Sequence, residues 1–107
     1  MFKTNVQNFI SLRTVGAPIE LADLRKITDL FKNPKQEFQL NPSFEPESDA
    51  PIDDNTQRFS TLQKYNRVNL VIPVGAEHMY HAAMNSGSCK LTDLGIHYWN
   101  LVNNQRI

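Results

Sequence analysis

The sequence predicts an α+β protein: a small single domain of three or four helices, a two- or three-stranded sheet, and a long acidic, proline-containing loop or arm. Three observations predict it. Apolar residues recur at three-and-four spacing in 19–34 and again in 92–102, a run near residue 70 alternates with period two, and residues 41–57 hold too few apolar side chains for either pattern. With 107 residues, 40% of them hydrophobic, the chain is long enough for one core and short for two.

Charge divides the chain into three parts. Residues 1–40 carry six Lys/Arg against four Asp/Glu, residues 41–57 carry five acids and no base, and residues 58–107 carry five bases against two acids. The expected organisation is an N-terminal helical part (1–40), an acidic extended loop or arm (41–57) and a strand-helix-strand-helix part (58–107). The formal net charge of zero removes the electrostatic signature usual for nucleic-acid and membrane-surface binders. The longest apolar run, "LVIPV", is far below the roughly 20 residues that span a bilayer, so no membrane partner is expected. A single cysteine and the lack of a basic-then-apolar leader predict a reducing, cytoplasmic setting.

The elements follow in order. Phe2, Val6, Phe9 and Ile10 sit at helical spacing, yet "FISLRTV" suits a strand equally well. "IELADLRKITDLFKNP" predicts an amphipathic helix through Leu21, Leu24, Ile27 or Thr28, and Leu30 with Phe31, with Pro18 in its first turn and Pro34 ending it. In "NPSFEPESDAPIDDNTQ" three prolines and a dense run of acids predict an irregular segment. "YNRVNLVIPVG" predicts a strand with Val68, Leu70, Ile72 and Val74 on one side, and Pro73 makes it an edge or shortens it. "AEHMYHAAMN" predicts a helix ended by Asn85, Ser86 and Gly87, and "SCKL" is extended. Thr92 is the expected N-cap of a last helix whose stripe is Leu94, Tyr98, Leu101 and Val102. Gly95 inside that helix predicts either close packing or a helix that starts one turn later.

Chemistry is sparse and concentrated. Residues 76–99 hold every histidine and the only cysteine: His78, His81, Cys89 and His97, spaced H-x2-H-x7-C-x7-H. Those are zinc-competent donors, but recurrent zinc frameworks have a close pair at each end, and here only the histidine pair is close. A Cys-dependent site, with Cys89 activated by His81 or His97 and oriented by Asp93, would need an oxyanion hole and a fixed base that no second motif supplies. No enzyme, metal or cofactor is therefore expected, and a small zinc-binding or Cys-dependent protein stands as the second alternative after protein and nucleic-acid binding.

"KLTDLGIHYWNLV" is similar to the junction at which winged-helix regulators leave the wing strand and enter a final helix: a Leu-Thr-x-x-Gly opening followed by an aromatic. The resemblance implies two strands around a wing ahead of that junction and a DNA-binding regulator. Its contacts would fall to Arg67, Lys90 and Arg106, because "AEHMYHAAMN", the candidate reading helix, has no Arg or Lys. Binding of a protein partner, or self-assembly, is the leading expectation, with nucleic acid as the alternative. The chain would serve as an accessory subunit of a larger assembly or as an inhibitor docking on one, through Trp99, Tyr98, Phe44, Glu45, Glu47 and Asp49. Tyr98 and Trp99 point about 100° apart, so one of them lies off the core.

Overall fold

The computed structural model describes residues 9–11 and 18–107 and is an α+β fold, as the sequence predicts. Strands β1 (Phe9–Ser11) and β2 (Pro18–Glu20) pair antiparallel. The helix-or-strand alternative is thus settled as strand at Phe9 and Ile10, while Phe2 and Val6 lie outside the described residues. Pro18 stands in β2 and not in a helical turn. The predicted first helix is real in phase but divided: α1 (Leu21–Arg25) and α2 (Ile27–Leu30) meet at Lys26, and Leu24, Ile27, Leu30 and Phe31 are all buried.

A strand that hydropathy did not reveal, β3 (Glu37–Gln39), joins the main sheet. The 41–57 segment is not an extended arm. Asn41 caps a 3-10 turn, Pro42–Phe44, and helix α3 (Asp53–Arg67) has already begun before residue 57. Only 45–52 stays irregular. Helix α3 escapes sequence reading because few of its residues are apolar; Phe59, Leu62 and Tyr65 alone, at i, i+3 and i+6, form its buried stripe with Thr61 beside them. Asp53 and Asp54 in its first turn, and Lys64 and Arg67 in its last, match the helix dipole.

Strand β4 (Val71–Val74), helix α4 (Met79–Met84), strand β5 (Ser88–Leu91) and helix α5 (Asp93–Asn103) complete the chain. The sheet order is β3-β5-β4, antiparallel throughout. Strand β4 starts later than its alternation suggests, because Asn69 takes a left-handed conformation (φ 65°) and resets the phase. Val71, not Ile72, therefore faces the core, opposite Leu91, while Ile72 stands opposite Lys90 on the outer face.

Both sheet edges can be read from the hydrogen bonds. Thr92 N–H donates to Leu70 O at 3.0 Å, so alternation turns the backbone groups of Val71 and Pro73 outward. That edge is blunted: Asn66 Nδ2 donates to Val71 O at 2.9 Å, and Pro73 has no N–H to offer. On the other side Leu40 N–H donates to Gly87 O at 2.8 Å, which leaves Glu37 and Gln39 facing the free edge of β3.

Asp23 ties the N-terminal part to α3. Its carboxylate takes Lys64 Nζ at 3.0 Å and Lys26 Nζ at 3.4 Å, and its backbone carbonyl accepts the Tyr65 hydroxyl. Burial alone would raise the carboxyl pKa, but the Lys64 and Lys26 ammonium groups outweigh it and hold it below the ordinary value. Tyr65 is fully buried, and burial, with Asp23 and Asp29 nearby, pushes its phenol well up.

Candidate functional site

Of the six residues expected to face a partner, three belong to the interior. Trp99 is 8% exposed, and its indole N–H donates to Phe31 O at 2.7 Å, fastening α5 to the end of α2. The apolar face of α5 is accordingly rotated by one residue from the predicted stripe: Gly95 and Trp99 are buried, whereas Leu94, Tyr98, Leu101 and Val102 are half-buried. Phe44 is buried with its ring edge-on to Phe38 at 5.7 Å, and Phe38 in turn lies 6.0 Å from Phe31. Glu45 is buried too, its Oε2 accepting the Glu47 N–H at 2.8 Å. Glu47 and Asp49 are exposed.

The four metal-donor residues do not converge. His78, His81 and His97 are exposed, Cys89 is fully buried, and no group of three or more His, Cys, Asp or Glu that could hold a metal occurs among the described residues. His78 and His81 do approach each other, with ring centroids 5.9 Å apart. Burial pushes the Cys89 thiol up to about 12, opposite to the direction a nucleophilic thiolate requires. Asp93 is exposed in the first turn of α5. Arg67, Lys90 and Arg106 are all exposed, on three different parts of the fold: the end of α3, the outer face of β5, and the segment after α5.

What sequence reasoning missed is Ile52, 53% exposed and the most exposed large hydrophobic side chain among the described residues. The segment that carries it is pinned. Asn41 Oδ1 accepts the Ser43 N–H at 2.9 Å as well as the Ser43 hydroxyl, Asn55 Nδ2 donates to Ser43 Oγ at 2.9 Å, and Ile52 N–H donates to Ser43 O at 2.9 Å. Ser48 N–H donates to Glu45 O at 3.0 Å, and Phe44 anchors the whole in the core. Ile52 is thereby held outward within a segment whose other exposed side chains include Glu47, Asp49, Asp53 and Asp54. One signal in the sequence could have found it. Phe44 and Ile52 are the only large apolar residues in 41–57, and once Phe44 is assigned to the core the other is left to meet solvent or a partner.

Shallow grooves are present among the described residues. One, about 490 Å³, lies on the outer face of the sheet among Lys35, Glu37, Ile72, Lys90 and Asp93; another, about 460 Å³, lies among Lys26, Asp29, Asp54 and Arg58. Both are lined by both signs of charge. No helix among the described residues is long and apolar enough to cross a membrane. No family model, curated protein or solved structure matches the chain.

Proposed function

We propose that the chain is a non-enzymatic docking module that binds a protein partner through the 46–54 segment, as an accessory subunit of a larger assembly or as an inhibitor of one. The observation that carries the reading is Ile52, an apolar side chain 53% exposed on a loop whose shape is fixed beforehand. A pinned loop loses little conformational entropy on binding, so an apolar anchor there contributes most of its burial to affinity. Glu47, Asp49, Asp53 and Asp54 around it in sequence select a partner with a basic rim about an apolar pocket and speed its approach. Ile52→Ala should abolish co-purification of the partner from the native host while leaving the unfolding midpoint in urea unchanged. Replacing Glu47 and Asp49 together by Lys should weaken capture most at low salt. Co-purification that survives both changes overturns the reading.

One observation favours a second reading, nucleic-acid binding. Strands β4 and β5 run antiparallel on either side of residues 75–87, and β5 passes directly into α5 with Thr92 as its cap, Thr92 Oγ1 accepting the Gly95 N–H at 3.0 Å. The winged-helix resemblance asks for two strands ahead of that junction, but here the candidate reading helix, α4, lies between them where a wing would stand. The acids Asp53 and Asp54 at the start of α3 and the lack of any Lys or Arg between residues 75 and 87 weigh against a phosphate contact there. If DNA is the partner, affinity for a duplex falls steeply with salt, and Arg67→Ala with Lys90→Ala flattens that slope. Binding that is absent at low salt ends this reading.

A further inference from the structure

We draw no further inference here: the strongest candidate, the groove of about 490 Å³ on the outer face of the three-stranded sheet between Lys35, Ile72, Lys90 and Asp93, is lined by both signs of charge and nothing in the structure shows what covers it.

Discussion

Gly95 is the point at which α5 presses hardest on the sheet. A Cβ built there would stand 2.1 Å from Leu70 O and 3.2 Å from Leu91 Cβ, so the helix packs against the backbone entering β4 with no room for a methyl group. The atom in the way is a carbonyl oxygen already accepting from Thr92 N–H, and it cannot swing aside without loosening the β4–β5 ladder. Alanine would normally favour a helix by about 1 kcal/mol over glycine. Here the clash outweighs that gain: Gly95→Ala is expected to destabilise the fold by roughly 1–3 kcal/mol, read as a lowered urea midpoint with unchanged slope. The glycine within the last helix was visible in the sequence, and of its two explanations close packing is the one the structure bears out. Trp99 shows the limit of such reading. A helical stripe chosen by hydropathy favours Leu and Val, whereas this helix buries a tryptophan and a glycine because the bulky ring and the empty position fit the uneven surface beneath them.

At the scale of the elements, three helices end in the same way. After α3, α4 and α5 the residues Asn69, Ser86 and Gln105 take φ of 65°, 55° and 57°, and in each case the next N–H reaches back over the turn: Leu70 to Tyr65 O, Gly87 to Ala82 O, Arg106 to Leu101 O. This is the Schellman arrangement, which satisfies carbonyls the helix leaves open and commonly places glycine at the left-handed position. None of the three is glycine, so each carries a backbone cost that glycine would relieve. Gln105 is exposed, and Gln105→Gly is expected to raise stability by about 0.5–1 kcal/mol, measured by urea unfolding, with no change in the fold. An unchanged midpoint would show that the last turn contributes nothing to cooperative unfolding, and a lowered one that the added freedom of the unfolded chain outweighs the relieved strain.

The same turns explain which elements could be read in advance. Leu24, Ile27, Leu30 and Phe31 kept perfect helical spacing, and Thr92 is an evident cap, so both surrounding regions were legible. Helix α3 was not, because Phe59, Leu62 and Tyr65 are a thin stripe on a polar surface, and the proline-rich acidic run ahead of it masked where it starts. Strand β3 was not, because only Phe38 of its residues turns inward, and its place is set by pairing with β5, a contact fifty residues away in sequence. The candidate docking segment was legible as acidic, but not its fixed shape or the helix that begins at Asp53. That depends on Ser43 meeting Ile52 and Asn55, which composition does not reveal.

For the molecule as a whole, the half-buried Asp23 carboxyl and the buried Cys89 thiol and Tyr65 phenol bound the pH range of greatest stability from opposite sides. Asp23 has its carboxyl pKa lowered by Lys64 and Lys26 against the burial that would raise it. Its contribution is present above the ordinary carboxylate pKa and is lost as pH falls through the lowered value. Cys89 lies on the inner face of β5 with its thiol pushed from 9.0 to about 12 by burial, so the folded state keeps a proton that the unfolded chain releases. Its contribution is complete below pH 9 and declines as pH rises toward 12, and the buried Tyr65 phenol adds to the same alkaline loss. Urea midpoints should therefore form a plateau from about pH 5 to 8 and fall on both sides. Asp23→Asn should flatten the acid limb and lower the plateau, since it leaves Lys64 without its Asp23 partner, whereas Cys89→Ala should lessen the alkaline fall, which Tyr65 still carries in part, and lower the plateau through the small cavity it leaves. Because the sulfur is reached only when the core opens, its modification by a neutral thiol reagent at pH 8 should proceed no faster than unfolding itself and accelerate with urea in step with the unfolding rate. Rapid labelling of the native protein would mean that the strand carrying Cys89 opens on its own, and that the core is divided at β5 instead of closed around it.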